Sequence, residues 1–125
     1  MSDDRSPRRA AENGGCLFCK IAAGEIPSDT VHRSDEVVAF RDINPAAPTH
    51  LLVIPVRHVA SAADLGPGDA SLLGEIFETI AALAASEGLA DGWRLVTNVG
   101  GDAGQSVDHL HFHLIGGRTM SWPPG

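Results

Sequence analysis

The sequence predicts an α+β fold, with an antiparallel sheet of about five strands, one long helix and one short N-terminal helix. Three observations support this fold class. Short apolar segments bounded by turn residues recur along the chain, as is typical of strands joined by hairpins. One apolar stripe at helical spacing lies within residues 69–87. Histidine and apolar residues alternate from His109 to Leu114, which is the period of a half-buried strand.

The composition is typical of a single soluble domain. The chain has 125 residues, of which 43% are hydrophobic, and this is enough for one core. No apolar segment approaches the roughly 20 residues that span a bilayer, and the N-terminus lacks the apolar part of a secretion signal, so a cytoplasmic protein is expected. The net charge of −7 argues against general nucleic-acid binding but not against one nucleotide in a local pocket.

The N-terminal part of the chain divides into a tail and a short helix. Residues 1–15 contain almost nothing apolar to bury, which predicts a disordered tail before a single domain at residues 16–125. Cys16 and Cys19 begin that domain as a C-x-x-C pair on one or two helical turns. Three interpretations of the pair stay open from the residues alone: a redox dithiol, half of a zinc site, or two small buried side chains.

The strands predicted before the histidines are short and apolar and are bounded by turn-forming residues. They cover residues 30–33, 36–42, 49–55 and 93–99. Ser34 and Asp35 supply the turn of the first hairpin. The apolar stripe of the long helix is expected to cover one face of the sheet and to take part in subunit packing.

The last predicted strand, residues 106–115, contains the residues best suited to catalysis or metal binding. It would place His109, His111 and His113 on one face and apolar side chains on the other. Imidazole is both a metal ligand and a nucleophile or base near neutral pH, so such a row suits metal capture or phosphate chemistry. The structural alternative is a polar stripe on a half-buried strand. Glycine-rich residues 100–104 precede the row and would let backbone N–H groups approach an anion closely.

The segment from Gly104 to Arg118 resembles the histidine triad (HIT) family, and specifically its Hint branch. It satisfies the whole family signature His-φ-His-φ-His-φ-φ, in which φ is apolar. Further similar positions extend the resemblance over residues 16–125. They are Glu25-Ile26-Pro27, Phe40-x-Asp42-Ile43, Ala47-Pro48-Thr49-His50, Val53-Ile54-Pro55, His58, Asn98 and Trp122-Pro123-Pro124-Gly125.

The resemblance implies hydrolysis of a purine nucleoside 5′-phosphoramidate, in which AMP is joined to an amine. Neutral His111 would attack the α-phosphorus, and water would then release AMP from the nucleotidyl-histidine. His113 would stabilise charge on the phosphate, and Ser106 would donate to the leaving nitrogen or to a phosphate oxygen. A backbone carbonyl near His109 would fix the tautomer of the nucleophile. His50 is the remaining catalytic candidate.

The resemblance also implies a nucleotide site. An apolar slot would hold the base, and Asp42, otherwise an ordinary turn former, would accept from the ribose hydroxyls. Asn98 and backbone groups after the glycines would contact the phosphate. Trp122 lies in a C-terminal arm, residues 118–125, that would approach the partner subunit's active site. The expected nucleotide-binding residues are Phe18, Ile26, Phe40, Asp42, Ile43, Asn98, Gly104, Gln105, Ser106, Val107, His111, His113 and Trp122.

A zinc site and a homodimer are further implications. In some bacterial HIT proteins the C-x-x-C pair completes a Cys₂His₂ zinc site, and by position the ligands would be Cys16, Cys19, His50 and His109. His58 receives no chemistry, and catalysis requires no cation in this scheme. The two sheets of the dimer would join through the long helix and residues 93–99. No nucleic-acid or membrane partner is expected.

Other functions are compatible with the same residues. A sister branch of the family hydrolyses dinucleoside polyphosphates, although the terminal Trp122-Pro-Pro-Gly and the Gly-Gly-Arg after the histidines favour the Hint branch. A nucleotide-binding regulatory or scaffold protein with incidental catalysis is the alternative from another class. A zinc-binding module is the third, and it predicts unfolding when the metal is removed.

Overall fold

Five antiparallel strands form one sheet in the computed structural model, which describes residues 15–125. The strands are β1 (Thr30–Arg33), β2 (Val37–Arg41), β3 (Thr49–Pro55), β4 (Trp93–Val96) and β5 (Phe112–Gly116). Their order across the sheet is β1-β2-β3-β5-β4. The helices are α1 (Leu17–Ala22) and α2 (Ala70–Ser86), with short 3-10 turns at Ala62–Asp64, Pro67–Asp69 and Gly101–Ala103. The α+β fold predicted from the sequence is confirmed.

Most predicted boundaries are confirmed to within one residue, including those of β1, β2, β3 and α2. The fourth strand ends at Val96, three residues before its predicted end. The predicted tail, apart from Gly15, lies outside the described residues. Within residues 15–125, neither helix is long and apolar enough to cross a bilayer.

The two faces of the sheet are covered by different helices. All seven residues of β3 are buried, because this strand is central and each of its faces is packed. On one face, Ile76 and Ile80 of α2 pack with Leu51 and Val53. On the other face, α1 packs through Phe18 and its neighbours against the alternate residues of β2 and β3. The histidines lie on the α1 face.

The last strand begins later than predicted, at Phe112 rather than at residue 106. Pairing of β3 with β5 ends at Val53↔Phe112, two residues before Pro55, which has no N–H to donate to a ladder. Beyond that point the N–H of Leu110 instead donates to the carbonyl of Val59 at 2.6 Å. The alternation of side chains nevertheless continues, because Leu110 packs in the α2 core while His109 contacts Phe18 of α1.

Candidate active site and adjoining metal cluster

The tautomer of His111 follows from its hydrogen bond. Its Nδ1 lies 2.7 Å from the backbone oxygen of His109. A carbonyl oxygen can only accept, so Nδ1 carries the proton and Nε2 of the neutral ring keeps its lone pair. The hydroxyl of Thr97 donates to the backbone oxygen of His111 at 2.7 Å, which fixes the main chain on the other side. This imidazole therefore has the form that a nucleophile requires.

The ring of His111 is almost fully enclosed. The residue is 4% exposed, and its ring packs edge-on against Phe18 and His113 with centroid distances of 5.2 and 5.0 Å. Among residues 15–125, the only fully buried side-chain nitrogen or oxygen that lacks a hydrogen-bond partner is Nε2 of His32. Nε2 of His111 also makes no hydrogen bond within these residues, so it must retain contact with solvent.

His50 sets the tautomer of His113. The backbone N–H of Ala46 donates to Nδ1 of His50 at 3.0 Å, so the proton of His50 is on Nε2. That nitrogen lies 2.9 Å from Nδ1 of His113, to which it donates, and 3.5 Å from a carboxylate oxygen of Asp42. The proton of His113 is therefore on Nε2. Burial, followed by the charges that His111 and His50 can carry, lowers the pKa of His113 to about 4, so near neutral pH the ring offers one N–H donor.

His109 has the opposite arrangement. Its Nε2 donates to the carbonyl of Pro55 at 2.9 Å, and its Nδ1 lone pair faces Sγ of Cys16 and Sγ of Cys19, each 3.4 Å away. The residue is fully buried, and burial is the largest of the effects that lower the pKa of His109 to about 4. Its neutral ring presents an unprotonated nitrogen to two thiols.

Four side chains meet around that nitrogen. Nδ1 of His58 lies 3.2 Å from Sγ of Cys19, and the ligand atoms of Cys16, Cys19, His58 and His109 all lie within 4.8 Å of one another. Both cysteines are free thiols. Burial, together with Cys16, raises the pKa of the Cys19 thiol to about 12. We call these four residues the Cys₂His₂ cluster.

The donor set of this cluster fits zinc. A tetrahedral Zn²⁺ bound by thiolate and imidazole has N···S edges of about 3.6 Å, close to the 3.2–3.4 Å between these atoms. The ring of His109 also has the second hydrogen bond, from Nε2 to the carbonyl of Pro55, that usually orients a metal-binding imidazole.

The structure places the predicted ligand His50 outside this cluster, and His58 is the fourth member instead. In the β3–β5 register His50 pairs with Ile115, six residues beyond His109. If the same antiparallel register is extended past Pro55, the residues that follow β3 approach His109. His58 is one of these residues. His50 instead forms a second group of potential ligands with Asp42 and His113.

The aromatic part of the expected nucleotide slot is assembled. Phe18 and Phe40 pack edge-on with centroids 5.5 Å apart and are 5% and 4% exposed, while Ile26 packs at the edge of the same cluster. Ile43 is 92% exposed and packs in neither apolar cluster of the core. One oxygen of Asp42 accepts the backbone N–H of Asn44 at 2.8 Å, so the turn-forming role is present.

The loop expected to contact phosphate is held by its own amide side chains. Asn98 donates to the carbonyl of Ala103 at 2.8 Å. The side chain of Gln105 accepts from the N–H of Gly100 and donates to the carbonyl oxygens of Ala60 and Val107. The backbone N–H groups of Gly104 and Gln105 also donate within the loop, to the carbonyl oxygens of Gly101 at 3.0 Å and Gly100 at 3.1 Å, so the expected phosphate contacts from these two groups are already engaged.

Ser106 and Trp122 are both exposed. Ser106 and Val107 line a cavity of about 390 Å³ that also contacts Cys16, Leu17 and His58. Trp122 is 82% exposed near the end of the arm, which is anchored by a bond from Arg94 to the carbonyl of Ser121 at 2.9 Å.

A five-stranded antiparallel sheet with His109, His111 and His113 on one face defines a histidine triad protein. The family model described as the C-terminal binding region of the scavenger mRNA decapping enzyme matches residues 15–122. The chain belongs to the HIT family, as the resemblance in its sequence implied.

Individual relatives cover nearly all of the described chain. An uncharacterised HIT-like protein of Synechococcus elongatus is 48% identical over 109 residues, which are 87% of this chain and 96% of that protein. A 14 kDa zinc-binding protein of Zea mays is 43% identical over 126 aligned positions, covering 99% of this chain and 98% of that protein. The crystal structure of a HIT family hydrolase from Legionella pneumophila Philadelphia 1 has 53% identity and a TM-score of 0.87, covering 88% of this chain and 99% of that chain.

Proposed function

We propose that the protein hydrolyses purine nucleoside 5′-phosphoramidates through a nucleotidyl intermediate on His111. The observation that carries this proposal is the bond from Nδ1 of His111 to the carbonyl of His109, which leaves Nε2 free to attack. The similar Legionella protein is called a hydrolase, which supports the reaction class. The terminal Trp122-Pro-Pro-Gly and the Gly-Gly-Arg at residues 116–118 favour the Hint branch.

The first step forms a bond between Nε2 of His111 and the α-phosphorus and breaks the P–N bond. The positive charge that develops on the imidazole is stabilised because its Nδ1–H already donates to a carbonyl oxygen 2.7 Å away. The amine leaves with a proton donated by the hydroxyl of Ser106. In the second step water attacks the phosphorus, the bond from phosphorus to Nε2 of His111 breaks to release AMP, and one proton of the water returns to Ser106, so one water is consumed per turnover.

His113 acts on the phosphate and not as the base. Its Nε2–H donates to a non-bridging oxygen because His50 occupies the other ring nitrogen. This donor strengthens as charge builds on the phosphate in the transition state. The backbone N–H of Val107 and the Asn98 side chain complete the phosphate contacts, since the N–H groups of Gly104 and Gln105 donate within their own loop.

The nucleoside is held at the other side of His111. Phe18 and Phe40 form the floor of the base slot, with Ile26 and Ile43 at its edges. Asp42 accepts from the ribose hydroxyls with the oxygen that does not receive the N–H of Asn44. Since Asp42 is also 3.5 Å from His50, the ribose and phosphate subsites adjoin.

The Cys₂His₂ cluster holds a structural zinc ion in our proposal. Cys16, Cys19, His58 and His109 supply the complete donor set, and the maize relative is called a zinc-binding protein. A zinc ion held by these residues would link α1 to the loop after β3 and to the histidine row. Metal analysis tests this part: less than about a tenth of an equivalent in purified protein, with both thiols reactive, would exclude the site.

A homodimer completes the proposal. Phe77 on α2 is 50% exposed, and Trp93 and Val99 in and after the edge strand β4 are 44% and 42% exposed. Joining two β4 edges would pair their free backbone groups and cover these side chains. The arm, with Trp122, would then reach the partner's nucleotide slot. Sedimentation analysis of the purified protein tests the assembly.

Trapping the nucleotidyl-enzyme tests the reaction. The protein is mixed with AMP–amine, a diadenosine polyphosphate and a capped dinucleotide, quenched, and digested for mass spectrometry. We expect an AMP adduct on His111 and fastest turnover with AMP–amine. His111→Ala should lose at least about 10⁴-fold in kcat yet still bind AMP, whereas His32→Ala on β1 should behave as wild type. Turnover of AMP–amine by His111→Ala would exclude the covalent mechanism, and faster turnover of either dinucleotide would reassign the substrate.

A further inference from the structure

One residue belongs to both side-chain clusters. The ring of His109 faces the two thiols through Nδ1, and its backbone oxygen accepts from Nδ1 of His111. The potential metal ligand and the group that fixes the nucleophile's tautomer are thus separated only by the Cα and Cβ atoms of one residue. Holding the His109 ring therefore restricts the directions in which its carbonyl can point.

Regular strand pairing does not hold that carbonyl. The ladder of β5 begins at Phe112, so His109 lies outside it. Two contacts position the segment instead: the ring N–H of His109 to the carbonyl of Pro55 at 2.9 Å, and the N–H of Leu110 to the carbonyl of Val59 at 2.6 Å. The side chain of His109 therefore helps to hold this segment in place, as backbone hydrogen bonds between strands do elsewhere in the sheet.

The short helix supplies a second connection. Cys16 caps α1 by accepting the N–H of Cys19 at 3.3 Å, so both thiols stand at the start of this helix. Phe18 lies between them in sequence, and its ring packs edge-on against His111 at 5.2 Å and His109 at 6.1 Å. A ligand that holds both thiols therefore also restricts the position of Phe18, which packs against the nucleophile.

We propose that the Cys₂His₂ cluster, when it holds zinc, acts as a positioning site for the nucleophile. The filled cluster clamps the His109 ring, its carbonyl holds the proton of His111 on Nδ1, and Nε2 stays free. Zinc occupancy then sets kcat while leaving nucleotide binding almost unchanged. This inference rests on the proposed function for its kinetic consequence, but its structural consequence, the tautomer of His111, requires no substrate.

The test compares two substitutions of one ligand. His58 lies after β3 and contributes a ring nitrogen to the cluster. His58→Ala removes a ligand, whereas His58→Cys replaces it with another zinc ligand. His32→Ala is the matched control, because this partly buried histidine lies on β1, which β2 and β3 separate from β5. Each protein is measured for zinc content, kcat, KM, AMP affinity and the ¹⁵N chemical shifts that report the His111 tautomer.

We expect His58→Ala to lose zinc and at least about tenfold in kcat, with KM and AMP affinity within about twofold, and with less of the Nδ1–H tautomer of His111. His58→Cys should keep the zinc content, kcat and the His111 tautomer close to those of the wild type. Loss of zinc with kcat and tautomer unchanged would overturn the proposal. If His58→Ala does not fold, graded removal of zinc from the wild type by a chelator provides the same comparison. Cooperative unfolding of the wild type on that removal would also overturn it, because the cluster would then serve global stability.

These readouts separate the two proposals. A wild-type protein that turns over no nucleotide conjugate, but whose His111 tautomer follows zinc, would refute the proposed function and support the positioning role. A wild-type protein that forms the nucleotidyl adduct equally well with and without zinc would support the function and refute the positioning role.

Discussion

The histidines of the candidate active site and those of the Cys₂His₂ cluster differ in the partners of their ring nitrogens. At the candidate active site, Nδ1 of His113 accepts a hydrogen bond from His50, so His113 presents an N–H, while Nδ1–H of His111 donates to a carbonyl, so His111 presents a lone pair. In the Cys₂His₂ cluster, His109 presents its lone pair to two thiols. The role of each imidazole is decided by the partner of its other nitrogen, and not by its place in the sequence motif.

Cys16→Ser gives the largest expected difference between the two clusters. It removes one of the four ligands and should lower zinc affinity by at least about 100-fold. His50→Ala should leave zinc affinity unchanged, because His50 lies with Asp42 and His113. Competition titration with a chromogenic chelator measures both affinities. If His50→Ala releases zinc while His58→Ala keeps it, the ligand set read from the structure is wrong.

Substitution of His50 should then affect turnover through His113. His50→Ala removes the N–H donated to Nδ1 of His113 at 2.9 Å, so the His113 proton is free to move to Nδ1, away from the phosphate. We expect kcat to fall about 10- to 100-fold with little change in zinc.

His50→Gln is the matched variant for that experiment, since its amide can donate in place of the imidazole. It should recover part of the lost kcat, and ¹⁵N shifts should show His113 returning to the Nε2–H tautomer. Equal activities for His50→Ala and His50→Gln would mean that His50 fills space rather than setting the proton of His113.

The buried histidines should make stability depend on pH. Burial lowers the pKa of His113 to about 4, below its ordinary value of about 6.5, so the unfolded chain binds more protons between these values. The free energy of unfolding should therefore fall as pH is lowered from about 6.5 to 4. Urea unfolding of the wild type and of His113→Gln at pH 7, 5.5 and 4.5 measures this. An equally steep fall in His113→Gln would assign the dependence to other groups.

The sequence predicted the sheet, the long helix and the side-chain alternation because these depend on local periodicity. Leu110 and Leu114 are in the α2 core, as the alternation requires. The late start of β5 was also foreseeable, since Pro55 cannot continue the ladder. The choice of His58 over His50 required a register between strands that are separated by more than 50 residues, which local patterns do not contain.

The predicted base slot shows a second reason why the sequence does not predict the whole site. Phe18 and Phe40 meet because both lie on elements whose apolar faces point into the same core. Ile43 lies in the connection between β2 and β3 and is 92% exposed. The resemblance predicted its place in the slot, but its exposure could not be predicted, because the path of a loop is set by tertiary contacts and not by hydropathy.

Thr97→Val should give the smallest effect and is the finest test of how the nucleophile is held. The hydroxyl of Thr97 donates to the backbone oxygen of His111 at 2.7 Å, just past the last pair of β4 with β5, Val96↔His113. Valine keeps the shape but leaves this carbonyl without its donor, so we expect a loss of about 1 kcal/mol in unfolding free energy. Because the bond holds the oxygen of His111 and not its ring, kcat should fall only a few-fold and the Nδ1–H tautomer should persist. Thr97→Ser, which retains the hydroxyl, is the control. A collapse of kcat in Thr97→Val with the tautomer intact would show that the main chain of His111, and not the carbonyl of His109, sets the aim of its free nitrogen.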